Sequence, residues 1–350
     1  MVKASFKKYV LRFKKPSGTS RGILTEKPSW FIFLTDDLNP GVTGIGECSP
    51  LGGLSIDSRP DFEKMLTFVC SNIENFIHPS EIFDDYPSIG FGVETAFLDY
   101  IKGGEKILFP SAFTEGKDSI SINGLIWMGN FESMRIQIIE KIESGFSCIK
   151  LKIGAFNFED ELKLLRSIRK EFSAAQIEIR VDANGAFKPE EALEKLKRLS
   201  EFQIHSIEQP IRQGQWERMA QLCKNSPIPI ALDEELIGIA ESDKKQKLLE
   251  EIKSQFIILK PSLLGGFKVA EEWIKLASEK SIGWWITSAL ESNIGLNAIA
   301  QWTYTLGNKI PQGLGTGQLY LNNFECPLNI DNGRLFFGPN EKWDLKALIS

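Results

Sequence analysis

The stretch CIKLKIGAFNFEDELKLLRSIRKEFSAAQIEIRVDA, residues 148–183, decides the fold. It begins and ends with short β-rich runs, CIKLKIG at 148–154 and IEIRVDA at 177–183. The run FEDELKLLRSIRKEF between them has apolar residues every three or four positions, which is typical of an amphipathic helix. A strand, a helix and a second strand in this order predict one unit of a parallel α/β sheet.

Similar units extend in both directions from this stretch. Eight β-rich runs, most of them separated by helical segments, predict a (β/α)8-type barrel, TIM-like and modified. The runs are SISINGLI (119–126), CIKLKIG (148–154), IEIRVDA (177–183), IHSIEQP (204–210), IPIALDE (228–234), QFIILKP (255–261), GWWITSAL (283–290) and PQGLGTG (311–317). No sequence repeat accompanies them, so the prediction rests on periodicity.

The two ends of the chain have a different pattern of predicted strands and helices from this barrel. Residues 1–50 read as strands, and the period becomes helical from about Asp61 to Lys102. Strands followed by helices predict an α+β unit. We therefore predict an α+β capping domain at 1–110, the barrel at 111–317 and a C-terminal segment at 318–350 that returns to the cap.

Composition excludes several classes of partner. A formal net charge of −5 argues against nucleic-acid binding, and no window has the apolar length of a membrane span. The five cysteines are scattered and form no C-x-x-C pair, which favours a reducing compartment. We expect a soluble cytoplasmic protein without a signal peptide; a homo-oligomer is compatible with the sequence.

Charged residues stand at the carboxyl ends of successive predicted strands, where barrel enzymes carry their active sites. They are Lys150, Lys152, Asp182, Glu208, Asp233 and Lys260. From Lys152 onward the steps are 30, 26, 25 and 27 residues, each about one βα unit, so these side chains should converge on one mouth.

The residue types favour one kind of chemistry. Three carboxylates without histidine or cysteine suit Mg2+. Lysines pointing into a barrel are costly unless paired or functional, and such a lysine can remove a proton beside a carboxylate that a metal polarises. Ordinary solvated strand-end acids, and lysines that reach to solvent, are the structural alternative.

Five short stretches resemble the enolase superfamily, muconate-lactonizing subgroup. They are KLK at 150–152, VDANGAF at 181–187, IEQP at 207–210, ALDE at 231–234 and ILKP at 258–261. The resemblance implies that Asp182, Glu208 and Asp233 bind Mg2+, with Mn2+ as a substitute. It also implies that Lys152 is the acid/base with Lys150 as its electrostatic companion, and that Lys260 lies on the opposite face of the substrate.

Within the subgroup the chain most resembles the o-succinylbenzoate synthases. The stretches GIGECSPLGGLS at 44–55, TSALESNIGL at 287–296 and GLGTGQLY at 313–320 carry this likeness. It implies a dehydratase of menaquinone biosynthesis that acts on a small-molecule carboxylate. N-acylamino acid racemases and dipeptide epimerases are the alternative, although the epimerases' Asp-x-Asp is replaced by Gly315-Thr316-Gly317. A non-catalytic barrel that binds a metal or ligand is a third hypothesis.

Four further residues are candidates for binding substrate. Ser288 and Gly315 lie at the ends of the last two predicted strands, and Asn184 follows Asp182. Arg21 lies in the polar segment 15–21, which we predict to be a loop, either a substrate lid or an ordinary hairpin turn.

Overall fold

The N-terminal part of the protein begins with an antiparallel sheet in the computed structural model, which describes residues 2–19, 22–78, 80–154 and 157–349. Its strands, in spatial order, are β1 (Val2–Thr19), β2 (Gly22–Asp36) and β3 (Gly44–Cys48). Strands β1 and β2 pair from Val2 opposite Asp36 to Arg12 opposite Glu26 and, after an irregularity, from Ser17 opposite Leu24 to Thr19 opposite Gly22. Strand pairing therefore continues into the segment 15–21 that was predicted as a loop.

Helices cover one face of this sheet. They are α1 (Phe62–Ser71), α2 (Ile82–Asp85) and α3 (Pro87–Ile101), with a 3-10 turn at Ile73–Phe76. Helix α3 packs closely on β3, because a Cβ atom on Gly46 would lie only 1.9 Å from the carbonyl oxygen of Gly92. Glycine lets the two backbones approach in this way, and it fixes the side of β3 from which Glu47 emerges.

The barrel strands follow. After β4 (Ile120–Ser121), which lies outside the barrel sheet, they are β5 (Gly124–Ile126), β6 (Cys148–Lys152), β7 (Glu178–Asp182), β8 (Ser206–Glu208), β9 (Ile230–Leu232), β10 (Phe256–Leu259) and β11 (Gly283–Ile286). In the described part of the chain, β5 to β11 form a seven-stranded sheet in sequence order, and all its pairs are parallel. Its side chains belong to the largest hydrophobic core of the protein.

Residues 312–313 close the barrel in place of a regular eighth strand. Gln312 bonds through its backbone to Ser121 and Asn123, and Gly313 bonds to Ile286 and Ser288. The predicted strand at 311–317 is therefore reduced to two bridging residues. Its glycines weaken strand formation, since they lack side chains that could pack on neighbouring strands.

Helices surround the barrel. They are α4 (Phe131–Glu143), α5 (Phe158–Glu171), α6 (Pro189–Ser200), α7 (Trp216–Asn225), α8 (Ser242–Ile252), α9 (Pro261–Leu264), α10 (Phe267–Glu279) and α11 (Asn293–Thr305), with a 3-10 turn at Glu234–Leu236. Helix α5 begins where Asn157 Oδ1 accepts a hydrogen bond from Glu159 N, and it buries Leu162, Leu165 and Ile168 as its periodicity predicts. None of the helices among the described residues has the length and apolar character needed to cross a bilayer.

The C-terminal segment contacts both parts of the protein. It contains β12 (Leu328–Asp331), β13 (Arg334–Phe337) and α12 (Lys346–Ile349). Strand β13 pairs with β4, on the barrel side. Phe324, Leu345 and Leu348 pack with Phe31 and Ile45 of the N-terminal sheet. The segment thus joins cap and barrel, and the domain limits at 110 and 317 remain predictions.

Candidate active site

Charged side chains meet at the carboxyl ends of the barrel strands. Lys152, Asp182 and Glu208 are the last residues of β6, β7 and β8, and they are aligned in register across the sheet. Asp233 and Lys260 directly follow β9 and β10. The parallel strands therefore bring the predicted residues to one edge of the sheet. These five residues and Lys150 are called the charged centre below.

Opposite charges alternate within the charged centre. The Nζ atom of Lys150 lies 2.9 Å from Asp182 Oδ2 and also contacts Glu208 Oε2. Lys152 Nζ lies 2.6 Å from the same Asp182 oxygen. Lys260 Nζ contacts Asp233 Oδ2 and lies 4.0 Å from Glu208 Oε1. The six side chains form one continuous network, and it is almost completely removed from solvent.

Burial and pairing act against each other on the acidity of these groups. Burial alone would raise the pKa of Asp182, but the ammonium groups of Lys150 and Lys152 lower it well below its usual range. Burial raises the pKa of Glu208, and the negative charge of Asp182 adds to this effect while Lys150 opposes it. Burial would lower the pKa of Lys260, but Asp233 and Glu208 raise it. The three carboxylates and three lysines balance formally, and burial together with the neighbouring Asp182 makes the charged form of Glu208 unfavourable.

One carboxylate oxygen in the centre has no hydrogen bond. Glu208 Oε1 is buried and accepts no hydrogen bond, although Lys260 lies at ion-pair distance. A buried carboxylate oxygen in this condition is costly and is suited to a cation. Among the described residues no three acidic, imidazole or thiol groups form a ready metal cage, and ammonium groups lie against the carboxylates. A divalent cation would therefore compete with Lys150 and Lys260 for these oxygens.

Asn184 is held beside the centre in a left-handed conformation with φ 45°. Its Oδ1 accepts a hydrogen bond of 2.9 Å from Lys152 Nζ, and its Nδ2 donates one of 2.9 Å to Glu234 Oε1. Its backbone N–H donates to Asp182 Oδ1 at 3.0 Å. Asn184 therefore orients both Lys152 and Asp182. Glu234 is an acid of this site that the sequence analysis missed, because it follows Asp233 outside the strand-end position.

A cavity of about 140 Å³ adjoins the charged centre. Its walls come from the cap and from the first, second, sixth, seventh and eighth barrel positions. The lining residues are Gly22, Ile23, Leu24, Leu51, Gly52, Leu54, Asn123, Leu125, Trp127, Lys150, Lys152, Lys260, Thr287, Ser288, Ala289, Leu290, Gly313, Gly315 and Thr316. We call this cavity the pocket. Lysines lie at one side and apolar cap residues at another, which suits an anion attached to an apolar ring.

The predicted binding residues Ser288 and Gly315 both line the pocket. Ser288 Oγ contacts Thr316 Oγ1, so the two hydroxyl groups satisfy each other. A Cβ atom on Gly315 would meet Asn123 O at 3.5 Å, an ordinary contact distance. The backbone packing of the strands therefore does not require glycine at 315, and the absence of a side chain there enlarges the pocket. Arg21, the fourth predicted binding residue, lies outside the described residues.

Asn123 is a lining residue that the sequence analysis missed. It is 4% exposed, and its Oδ1 atom is buried without a hydrogen-bond partner. Its only sequence signal was a polar residue inside the β-rich run 119–126, which many strands contain. A larger cavity of about 530 Å³ lies between the cap helices and α9–α10, but none of the charged centre lines it.

Comparisons with known proteins identify the class of the chain. The family model "Enolase C-terminal domain-like" matches residues 133–338. The o-succinylbenzoate synthase of Desulfotalea psychrophila is 47% identical over 95% of this chain and 98% of its own length. The crystal structure of MenC from Desulfotalea psychrophila has a TM-score of 0.86 at 45% identity and covers 96% of this chain and 99% of that chain. The L-Ala-D/L-Glu epimerase of Thermotoga maritima is 25% identical over 93% of this chain and 92% of its own length.

The barrel, its capping domain and the family match define an enzyme of the enolase superfamily. Within that class the chain belongs to the o-succinylbenzoate synthase family, because the high identity extends over nearly the full length of both chains. It is a hydro-lyase that forms o-succinylbenzoate. The predicted fold class, family and activity are thereby confirmed, and the epimerase alternative is the more distant relationship.

Proposed function

We propose that the charged centre forms o-succinylbenzoate by removing water from a succinyl-hydroxycyclohexadiene carboxylate, with Lys152 as the acid/base. The observation that carries this proposal is the position of Lys152 and Lys260. They reach one carboxylate cluster from β6 and β10, which lie at the two ends of a five-strand arc. A flat ring that enters the pocket between these strands meets one amine on each side.

Lys152 carries out both proton transfers, so it ends the reaction in the protonation state in which it began. Its neutral amine takes the proton from the ring carbon that bears the carboxylate, and the C–H electron pair moves into the carboxylate group as an enediolate. The resulting ammonium returns this proton to the leaving hydroxyl group as the C–O bond breaks. The products are water, an aromatic ring and the original amine. A single residue suffices because the family resemblance implies a syn elimination, in which the proton and the hydroxyl group leave from the same face.

The other lysines supply charge. Lys150 and Lys260 are held as ammonium groups by the carboxylates they contact, and burial strengthens their effect on charge that develops in the pocket. We propose that Lys260 stabilises the enediolate from the face opposite Lys152, and that Lys150 stabilises it from the same side. Asn184 aims the amine of Lys152 through its 2.9 Å hydrogen bond.

We also propose that Asp182, Glu208 and Asp233 hold a divalent cation, Mg2+ with Mn2+ as a substitute. Three carboxylates without softer ligands, and the unsatisfied Glu208 Oε1 atom, support this assignment. When bound, the cation draws electron density from the substrate carboxylate and eases removal of the neighbouring proton.

Four further features of the protein are proposals as well. We place the reaction in menaquinone biosynthesis on the family resemblance. We propose a cytoplasmic location, which the five free cysteine thiols support, since oxidising compartments favour disulfides. We propose Ser288, Gly315, Asn184 and Arg21 as substrate-binding residues, and a division into a cap at 1–110, a barrel at 111–317 and a returning segment at 318–350.

The direct test is turnover by the purified full chain. Protein supplied with MgCl2 and fresh cyclohexadiene substrate should change the ultraviolet absorbance as the aromatic ring forms, and NMR should identify o-succinylbenzoate. Absence of product under these conditions would contradict the proposal. Incubation with N-succinylamino acids in D2O tests the racemase alternative, because α-deuteration observed by NMR in the absence of dehydration would favour it.

A further inference from the structure

A buried polar network connects the cap to the barrel behind the pocket. We call it the joint; it consists of Lys27, Ser29, Glu47 and Ser49 from the cap and Ser292 from the barrel. Each of these side chains is at most 2% exposed. None of them belongs to the charged centre or lines the pocket. The joint is therefore a polar network that takes no part in the proposed proton transfers.

Glu47 is the central acceptor of the joint. Its Oε1 accepts hydrogen bonds from Ser29 Oγ and from Ser292 N, both at 2.9 Å. Its Oε2 accepts from Ser292 Oγ at 2.5 Å and from Gly295 N at 3.0 Å. A carboxylate from cap strand β3 thus binds the free N–H groups at the start of barrel helix α11, where the helix dipole favours negative charge.

The local sequence is fitted to this contact. Ser292 is the N-cap of α11, and its Oγ also accepts a hydrogen bond of 3.1 Å from Ile294 N. A Cβ atom on Gly295 would lie 2.9 Å from Glu47 Oε2 and 2.8 Å from the Cβ atom of Glu291. Any side chain at 295 would therefore push the carboxylate away from the helix. The sequence thus leaves no free space between Glu47 and the first turn of α11.

Lys27 places a buried positive charge near the Glu47 carboxylate. Its ammonium group is buried and donates to the hydroxyl groups of Ser29, at 3.2 Å, and Ser49. Burial lowers the pKa of Lys27, and the charges of Glu47 and Glu291 oppose this. A buried cation whose direct partners are hydroxyl groups depends on nearby carboxylates for its stability.

Each branch of the joint continues along the chain into a wall of the pocket. Segment 22–24 precedes Lys27, segment 51–54 follows Ser49, and segment 287–290 precedes Ser292. Two of these walls belong to the cap and one to the barrel. A change in the joint therefore changes the separation of the walls while leaving the charged centre, on other strands, in place.

We propose that Glu47 is a positioning residue for the dehydration. It sets the distance between the cap walls, at 22–24 and 51–54, and the barrel wall at 287–290, and thereby the affinity for the succinyl side chain of the substrate. This inference rests on the proposed function, because it assigns the charged centre to the ring carboxylate and the remaining pocket to the side chain. The carboxylate of Glu47 acts through backbone position and does not touch the substrate.

The test is the substitution Glu47→Gln in the full chain. Glutamine retains one acceptor oxygen but presents an NH2 group to a donor of α11, so the walls should separate. We expect KM for the cyclohexadiene substrate, and Kd for o-succinylbenzoate measured by calorimetry with MgCl2, to rise about tenfold or more. The turnover number kcat should stay within about threefold, since the charged centre is unchanged.

Asp99→Asn is the matched control. Asp99 is a fully buried carboxylate that accepts hydrogen bonds from Ile45 N at 2.9 Å and Lys106 N at 2.7 Å, at the other end of β3 and away from the pocket. This variant should lower the melting temperature without changing KM or the product Kd. An equal rise of KM in both variants would show that general destabilisation, and not the joint, weakens binding.

The double variant Lys27→Met/Glu47→Gln separates position from stability. Removing both buried charges should restore much of the melting temperature lost in Glu47→Gln, while KM and the product Kd stay raised because the contacts to α11 are still changed. Recovery of KM together with stability would overturn the inference. Failure of the proposed function has a different signature, because the wild-type chain would then neither dehydrate the substrate nor bind o-succinylbenzoate.

Discussion

The two sides of the active-site mouth are built in different ways. The charged centre comes from the ends of consecutive strands of one sheet, and each side chain is held by an ion pair or hydrogen bond to its neighbour. The rim of the pocket comes from the first residues of cap strand β2, at 22–24, and from the irregular segments 51–54 of the cap and 287–290 of the barrel. Under the proposed function, the reaction chemistry depends on strand register, whereas substrate fit depends on the position of the cap relative to the barrel.

The largest expected effect is that of Lys152→Ala. Loss of the acid/base should reduce kcat by roughly a thousandfold or more, while Mg2+ binding measured by calorimetry changes little. The control is Lys245→Met, which removes another buried lysine whose partner, Glu272, lies outside the site. Comparable kcat values for Lys152→Ala and the wild type would refute the acid/base role of Lys152. The charged centre would then act only by stabilising charge.

A second test of the centre is Glu208→Gln. The substitution keeps the size of the side chain but removes the charge between Lys150 and Lys260. We expect kcat to fall roughly a hundredfold, and the Kd for Mg2+ to rise by at least the 10–100-fold typical of losing even an outer-shell partner. The cap variant Glu94→Gln, which removes the charge of a carboxylate that accepts a hydrogen bond from Phe267 N, should leave Mg2+ affinity unchanged. Equal metal affinity in Glu208→Gln and the wild type would exclude Glu208 as a ligand.

The contrast between centre and rim also explains what the sequence could predict. Lys152, Asp182, Glu208, Asp233 and Lys260 were found because a βα unit has a nearly constant length. The pairing of Glu47 with Ser292 joins residues 245 positions apart in different domains, and no periodicity connects them. The residues that we propose to set substrate fit therefore could not be recognised from the sequence.

Asn123 and the strand at 311–317 illustrate two other limits. Asn123 carries no motif, and what distinguishes it is an unpaired Oδ1 atom, a property of the folded protein. The run PQGLGTG was predicted as a strand from the count of βα units, but its three glycines leave pairing at Gln312 and Gly313. Periodicity located the position of this strand and could not determine its length.

On the rim, Asn123→Leu tests whether the unpaired amide serves substrate. We expect KM to rise about tenfold, with the melting temperature unchanged or slightly higher because a buried unsatisfied oxygen is removed. Asn297→Leu is the control, since that buried amide is bonded to Lys106 O and to Gln301 Nε2. It should lower the melting temperature and leave KM as it is. A fall in stability with constant KM in Asn123→Leu would make Asn123 a structural residue.

The smallest expected effect is that of Gly315→Ala. A methyl group there meets its neighbours at ordinary contact distance, so the melting temperature should hold and KM should rise by roughly threefold or less. Gly313→Ala is the contrasting variant, because its Cβ atom would lie 2.4 Å from Thr287 Oγ1 and should destabilise the protein. If Gly315→Ala loses stability as Gly313→Ala does, the small residue at 315 serves strand packing and not the pocket.

The closure of the barrel at residues 312–313 has a consequence for the local stability of the pocket wall. Four backbone hydrogen bonds, made by Gln312 and Gly313, hold this seam to the strands on either side. Amide protons at the seam should therefore exchange with solvent sooner than those of β6 to β10, whose ladders are longer. Local opening of the barrel should therefore begin at this seam, which directly precedes the pocket residues Gly315 and Thr316, and not at the strands that carry the charged centre.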